Sequence, residues 1–217
     1  IAVRTSRGTV LLWTGPVRGG HLVFAIRGAL ADPHQLCELA DLLPEADVAA
    51  VNLPIFGEIS VAAFASLFRE IISRIDRPIT IVGASVGGLV AMSLSDLGPV
   101  VALDPPLSPP RLWPLHEIIS RKTRQGVLTE VSQAWYRDIL AVDDYSPLLD
   151  RLKRRVTVLA AGIPMDPPRP LPGFPGLLSA EDLDSLRNHP FVDLSVIPGA
   201  GHDILKDAPD AVADAIR

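Results

Sequence analysis

The chain has 217 residues, of which 48% are hydrophobic and 21% are charged, and its net charge at pH 7 is −5. This composition is typical of a folded globular protein and excludes a disordered chain, and the negative charge argues against nucleic acid as a partner. A chain of this length is predicted to form one domain, residues 1–217. The longest apolar run, residues 79–94, is too short and too interrupted to span a membrane.

The single cysteine, Cys37, cannot form an internal disulfide, so no oxidised framework is expected to support the fold. The first residues carry no charged leader followed by an apolar stretch and a cleavage site. Together these features predict a protein of a reducing compartment, and the cytoplasm is the expected location.

Segments with strand patterns and segments with helix patterns alternate along the chain. Strands are predicted at residues 1–6, 10–17, 21–28, 47–54, 78–85, 100–104, 156–162 and 192–199. Helices are predicted at residues 32–46, 61–75, 86–98, 179–189 and 208–217. Residues 111–149 show shorter helical pieces without a strand signal and are interpreted as an insertion. The alternation predicts an α/β fold with a mostly parallel central sheet and helices on both faces.

Ser85 lies between two glycines, where a predicted strand gives way to a helix. The sequence GASVG at residues 83–87 fits G-x-S-x-G, in which the serine occupies a strained turn and the glycines let strand and helix pass closely. Ligands of parallel sheets bind at the carboxyl ends of the strands. The following helix would direct its N-terminal dipole and free amides towards the serine. Ser85 is therefore the candidate nucleophile.

A serine hydroxyl needs a base, and the base needs a third group that orients it. His202 is the candidate base among the five histidines, because it follows the last predicted strand in a glycine-containing loop. The acid has two candidates, Asp104 and Asp166, each placed after a predicted strand. We favour Asp166, which follows a strand, a glycine and a short loop, because Asp104 precedes two prolines and is equally suited to capping its strand or anchoring the insertion.

Aromatic side chains are candidates for lining a substrate pocket. Phe56, Trp113, Trp135 and Tyr136 suit an apolar acyl or aromatic group, although aromatics at helical spacing are also typical of a core. The sequence has neither a His/Cys ligand cluster nor a G-x-G-x-x-G turn after its first strands, so no metal and no cofactor are expected.

Four motifs together resemble the α/β-hydrolase fold superfamily over nearly the whole chain. FAIRGAL resembles its strand and HG turn, VNLPIFGEIS its D-x-P-G-x-G-x-S segment, IVGASVGG its nucleophile elbow and VIPGAGHDIL its histidine loop. The chain order Ser85, Asp166, His202 is the serine, acid, histidine order of this superfamily. The resemblance implies the α/β-hydrolase fold, with a small helical cap over the site at residues 108–150.

The resemblance also implies an oxyanion hole made by the backbone amides of Ala29 and Val86. The chain departs from the superfamily at Arg27, where many members have histidine. Arg27 is expected to pair with a nearby acid, which is the favoured interpretation, or to meet an anionic group of a substrate.

These residues and the resemblance predict a serine hydrolase that cleaves an ester or thioester of a small, apolar acyl substrate through an acyl-enzyme. The expected partner is a small-molecule acyl substrate, either free or held as a thioester on a carrier. Alternatives on the same triad are a carbon–carbon bond hydrolase, a lyase and a cofactor-free peroxidase. A non-catalytic binding protein of the same fold is a further alternative, because fold does not fix function.

Overall fold

The computed structural model describes residues 1–6, 8–14, 17, 19–28, 35–53, 58–109, 112–142, 144–166 and 174–217, without the side chains of Gln35, Val131 and Trp135. Within these residues an eight-stranded sheet forms the centre of the protein. Its strands are β1 (Ala2–Thr5), β2 (Gly8–Thr14), β3 (Leu22–Ile26), β4 (Asp47–Val51), β5 (Ile79–Ala84), β6 (Val100–Leu103), β7 (Val156–Ala161) and β8 (Val192–Ile197).

The strands follow the spatial order β1-β2-β4-β3-β5-β6-β7-β8. β2 runs antiparallel to β1 and β4, and every other neighbouring pair is parallel. The carboxyl ends of β3 to β8 therefore meet at one edge of the sheet. The predicted α/β class with a mostly parallel sheet is confirmed.

The helices lie between and after the strands. They are α1 (Leu39–Leu42), α2 (Val61–Ile72), α3 (Val86–Met92), α4 (Trp113–Arg124), α5 (Glu130–Leu140), α6 (Ala180–Asn188), α7 (Ile204–Asp207) and α8 (Pro209–Ile216). Short 3-10 helices precede α1 at Gln35–Glu38 and β7 at Ser146–Arg151. No helix in the described ranges is long and apolar enough to cross a membrane.

The central strands are apolar on both faces because helices cover both sides of the sheet. Every residue of β3, β4 and β6 is buried. Alternate residues of β3 point to opposite cores: Phe24 shares one core with Phe68 of α2, and Val23 shares the other with Leu39 of α1 and Val212 of α8. The continuous apolar runs in the sequence are thus explained by two helical layers.

Two predicted helices are shorter than their sequence patterns indicate. Of the helix expected at residues 32–46, the described part contains the 3-10 turn and the four residues of α1. The helix expected to reach residue 98 ends at Met92, where the Ser93 hydroxyl donates to the carbonyl of Leu89 (2.9 Å). A serine that bonds its own backbone in this way competes with helix continuation.

The segment between β6 and β7 is helical, as expected for residues 111–149. α4 begins with a proline in its first turn, and the side chain of Thr129 caps α5 by accepting from the amide of Ser132 (3.2 Å). Both helices follow the carboxyl end of β6 in the chain and precede β7.

Candidate active site

Ser85 lies on the sharp turn between β5 and α3. Its backbone has φ 55° and ψ −127°, a conformation that residues with a side chain adopt only under strain. The Ser85 amide donates to the carbonyl of Leu103 on β6 (2.8 Å), and the Ser85 carbonyl accepts from the amide of Gly88 (2.8 Å). These two bonds hold the turn at the carboxyl edge of the sheet, as the G-x-S-x-G pattern predicts.

The glycines around Ser85 are sterically required. A Cβ on Gly83 would lie 2.1 Å from the carbonyl oxygen of Gly87, and a Cβ on Gly87 would lie 2.3 Å from that of Ile26 on β3. A Cβ on Gly28 would approach the Cβ of Ser85 to 2.9 Å. The turn therefore packs directly against the end of β3, at distances that only hydrogen atoms allow.

His202 lies in the loop between β8 and α7. Its Nδ1 is 2.7 Å from Oδ2 of Asp104. An ionised carboxylate only accepts hydrogen bonds, so Nδ1 carries the hydrogen and Nε2 of the neutral ring keeps a lone pair that is able to take a proton. The ring packs edge-on against Phe174 with centroids 5.1 Å apart, and the His202 amide donates to the Phe174 carbonyl (2.9 Å).

Asp104 directly follows β6 and is completely buried. Its Oδ1 accepts from the amide of Ala161 (3.2 Å), and its Oδ2 accepts from the amide of Leu177 (2.8 Å) as well as from His202. Its backbone has φ 46°, so Asp104 and Ser85 both have the positive φ that residues with a side chain rarely adopt. Three donors satisfy a carboxylate that water does not reach, and this fixes the orientation of the histidine ring.

The expectation that Asp166 orients His202 is wrong in this structure. Asp166 is exposed, five residues beyond the end of β7, and His202 contacts Asp104 instead. β7 does contribute to the acid site, but through the backbone amide of Ala161, its last residue. The two prolines after Asp104 do not divert its side chain from the active edge.

Ser85 and His202 line the same cavity, whose volume is about 300 Å³. Within the described residues no hydrogen bond joins the Ser85 hydroxyl to His202. Triad hydrogen bonds are often long in the absence of substrate and tighten in the complex. The rest of the wall is mainly apolar and includes Leu115 and Ile118 of α4 and Ile139 of α5.

The remaining predicted site residues divide between the cavity, its surroundings and the undescribed part of the chain. Arg27, Val86 and Tyr136 line the cavity. Trp113 does not line it: the indole Nε1 donates to the carbonyl of Met165 (3.1 Å), in a small core beside the cavity. Three predicted positions are not tested: Ala29 and Phe56 lie outside the described residues, and the side chain of Trp135 is not described.

Arg121 and Lys122 of α4 line the cavity but were not among the predicted site residues. One signal in the sequence was the position of Lys122, which follows Leu115 and Ile118 at helical spacing and so shares their face of α4. The bonds from the amides of Ala161 and Leu177 to Asp104 were also missed, because backbone donors leave no trace in residue type.

The Tyr136 hydroxyl is shielded from water by the cavity wall. Burial raises the pKa of Tyr136 to about 12, and the nearby Arg27 guanidinium lowers the same pKa by a smaller amount. Tyr136 therefore stays protonated at neutral pH and keeps a hydroxyl hydrogen. Among the described residues no group of three or more His, Cys, Asp or Glu side chains is arranged to hold a metal ion.

A serine on a strained strand-to-helix turn, beside a histidine–aspartate pair at the carboxyl edge of a mostly parallel sheet, is the arrangement of an α/β hydrolase. The family model described as the alpha/beta hydrolase family matches residues 16–215. The chain belongs to this family. Comparison with curated protein sequences finds no match.

Solved structures of similar fold are hydrolases of several kinds. The N-formylmaleamic acid deformylase of Pseudomonas putida S16 is similar with a TM-score of 0.77 and 16% identity, over 100% of this chain and 99% of that chain. An esterase of Thermogutta terrifontis follows with 0.71 and 20%, over 100% and 96%. The thioesterase domain of the curacin biosynthetic pathway has 0.68 and 17%, over 100% and 97%. At these identities the likeness shows the fold alone.

Proposed function

We propose that this α/β hydrolase is a serine hydrolase that cleaves an ester or thioester bond of a small acyl substrate through an acyl-enzyme. The observation that carries the proposal is the 2.7 Å contact between the buried Asp104 and His202, in a cavity that Ser85 also lines. We assign Ser85 as nucleophile, His202 as general base and Asp104 as the acid that orients it.

The proposed reaction has two steps. In the first, His202 Nε2 takes the Ser85 hydroxyl proton while the oxygen attacks the substrate carbonyl, and the imidazolium then gives that proton to the departing alcohol or thiol. In the second, His202 takes a proton from water, the hydroxide attacks the acyl-enzyme, and the proton returns to Ser85 as the acid leaves. Asp104 stabilises the imidazolium in both steps.

We further propose that backbone amides hold the negative charge that develops on the carbonyl oxygen. The amide of Val86 lies in the first turn of α3, where a helix leaves its amides without intrahelical acceptors. The amide of Ala29 is the second proposed donor, from the expectation stated for the HG turn. Both donors belong to the main chain, so the assignment does not depend on the residue type at either position.

Residues 108–150 are proposed to form a small cap that completes the substrate cavity. The support is that α4 and α5, which lie within this range, supply Leu115, Ile118 and Ile139 to the same cavity that Ser85 lines. A cavity of about 300 Å³ is at the small end of ligand pockets, which span roughly 300–1,000 Å³. Its size and apolar wall favour a short acyl group.

The residues of the cavity wall do not determine which leaving group the substrate carries. Esterase and thioesterase relatives of the same fold support both an alcohol and a thiol as leaving group, and a thioester held on a carrier is one proposed form of the substrate. One of the similar structures is a deformylase, so the fold also supports cleavage of bonds other than esters.

The cytoplasm stays the predicted location of the protein, because its single cysteine, Cys37, cannot form an internal disulfide.

A series of p-nitrophenyl esters with acyl chains of increasing length tests the proposal. We expect turnover that is highest for short chains, and an acyl adduct on the Ser85 peptide by mass spectrometry when the reaction is quenched early. The Ser85→Ala protein measures the background rate. Turnover of every ester at that background rate, with no adduct on Ser85, would contradict the proposed function.

A further inference from the structure

The cavity beside Ser85 is positively charged although the chain is not. Among the described residues, its lining includes three basic residues, Arg27, Arg121 and Lys122, and one carboxylate, that of Asp203, whereas the whole chain carries a net charge of −5. These basic residues outnumber the carboxylate in the described wall of a cavity of about 300 Å³ whose remaining lining is mainly apolar. Their position indicates that the bound molecule carries negative charge.

Arg27 lies next to the reacting serine. It follows β3 directly, and its amide donates to the carbonyl of Val51 on β4 (3.2 Å), which fixes its backbone in the sheet. Its carbonyl oxygen would lie 2.6 Å from a Cβ on Gly87, so this backbone is in contact with the nucleophile turn. The Nε atom is buried, and the guanidinium is close enough to Tyr136 to lower its pKa against the larger effect of burial.

Arg121 and Lys122 also line the cavity and belong to the last turn of α4. In the described part of the chain neither side chain makes a hydrogen bond or an ion pair. Arg124 of the same helix differs, because it bonds the hydroxyl of Ser120 (2.8 Å) and does not line the cavity. Arg121 is exposed and Lys122 half-buried, so both suit a role at the entrance, where charge attracts an anion and salt weakens the attraction.

We infer that the cavity takes an acyl substrate with an apolar body and a free carboxylate, and that Arg27 binds this carboxylate while Arg121 and Lys122 attract it. The inference rests on the proposed function and names the substrate class of that same site. A guanidinium suits the role because its planar N–H groups match the two oxygens of a carboxylate. The apolar side chains of α4 and α5 would then contact the chain that joins the carboxylate to the scissile carbonyl.

Two matched esters test the inference by turnover. One is the mono-p-nitrophenyl ester of adipic acid, and the other is the uncharged p-nitrophenyl ester in which an isopropyl group replaces the carboxylate. We expect kcat/KM to be about tenfold higher for the charged ester at low salt, the size expected from one charge-assisted hydrogen bond. Equal values, or a preference for the uncharged ester, would overturn the inference.

Variants locate the preference within the cavity. Arg27→Gln is expected to lower the charged-to-uncharged ratio of kcat/KM by about tenfold. The double variant Arg121→Gln, Lys122→Gln is expected to lower it by about threefold and to weaken its dependence on salt. Arg124→Gln is the matched control and leaves the ratio unchanged. A ratio that none of these variants moves would also overturn the inference.

A binding experiment separates this inference from the proposed chemistry. The Ser85→Ala protein is titrated by calorimetry with monomethyl adipate, which is charged, and with dimethyl adipate, which is not. We expect the charged ligand to bind about tenfold more tightly. Charge-selective binding without any ester turnover would contradict the proposed function but support the anion preference. Ester turnover without charge-selective binding would support the proposed function but contradict the anion preference.

Discussion

The two walls of the cavity are built in different ways. The sheet wall, which holds Ser85, Asp104 and His202, is fixed mainly by the backbone: it has two residues with positive φ, two backbone amides that bond one buried carboxylate, and glycines that admit no side chain. The helical wall consists of α4 and α5, which are joined to the rest of the molecule mainly by apolar side chains such as Leu115 and Ile139.

The difference separates chemistry from substrate choice. In the sheet wall close backbone contacts restrict the movement of the residues, so the groups of the proposed proton transfers keep a fixed geometry. In the helical wall the cavity is lined by side chains such as Ile118, so a substitution there changes the shape of the space that the substrate occupies. We therefore expect changes in the sheet wall to lower kcat or to destabilise the fold, and changes in the helical wall to alter KM and substrate preference.

The largest effect is expected from Ser85→Ala. Loss of a triad nucleophile lowers kcat by roughly 10⁴- to 10⁶-fold, because covalent catalysis is lost while binding remains. The measurement is the steady-state rate with a short p-nitrophenyl ester. Ser93→Ala is the control, since the Ser93 hydroxyl donates to the Leu89 carbonyl of α3 and Ser93 does not line the cavity, and it is expected to keep its rate. Comparable rates for the two variants would break the assignment of the nucleophile.

The two acids provide the next test of the sheet wall. Asp104→Asn removes the charge that holds the His202 tautomer, and we expect kcat to fall by about 10³- to 10⁴-fold. Asp166→Asn changes an exposed side chain and is expected to keep kcat within about twofold. Circular dichroism confirms that each variant is folded. The reverse ranking would return the role of the acid to Asp166.

The glycine contacts predict a difference in stability. Gly87→Ala places a Cβ 2.3 Å from the carbonyl oxygen of Ile26, and we expect the free energy of unfolding in urea to fall by about 3 kcal/mol. Gly20→Ala is the matched control, because the nearest atom to its Cβ is 3.8 Å away, and its effect is expected to stay within about 1 kcal/mol. Equal losses for both variants would show that the close approach does not limit residue 87.

The smallest effect concerns the core beside the helical wall. Trp113→Phe removes the hydrogen bond to the Met165 carbonyl, which is expected to lower the free energy of unfolding by about 1 kcal/mol. Because Trp113 does not line the cavity, kcat/KM for short esters is expected to stay within about twofold. A large change in kcat/KM with unchanged stability would move Trp113 from the core to the substrate site.

The parts of the fold that depend on local rules were predictable from the sequence. The central strands are continuous apolar runs because both faces of the sheet are covered, and this signal is present in the chain itself. The turn at Ser85 was equally predictable, because the turn requires glycine on both sides of the serine and residues 83–87 have glycine at both positions. The position of His202 at this edge was predictable as well, because the residue comes shortly after the last strand.

Which aspartate contacts His202 was not predictable, because the contact depends on the three-dimensional arrangement of segments that are distant in the chain. Asp104 and Asp166 both follow strands that end at the same edge, so each satisfies the sequence pattern. What distinguishes them is the left-handed backbone of Asp104 and the amides of Ala161 and Leu177 that converge on its carboxylate, and Leu177 is 73 residues away along the chain. The contribution of Arg121 to the cavity was not predictable for the same reason. The basic residues Arg121, Lys122 and Arg124 follow one another closely, and in sequence such a group looks like a solvated helix face.

The central claim is that Asp104 and His202 activate Ser85, and the rate of fluorophosphonate labelling tests it most directly. We predict that the folded protein is labelled at Ser85, as mapped by peptide mass spectrometry, and that Asp104→Asn slows the labelling by about a hundredfold or more while Asp166→Asn does not slow it. Labelling at another residue, or an unchanged rate at Ser85 in the Asp104→Asn protein, would contradict the claim.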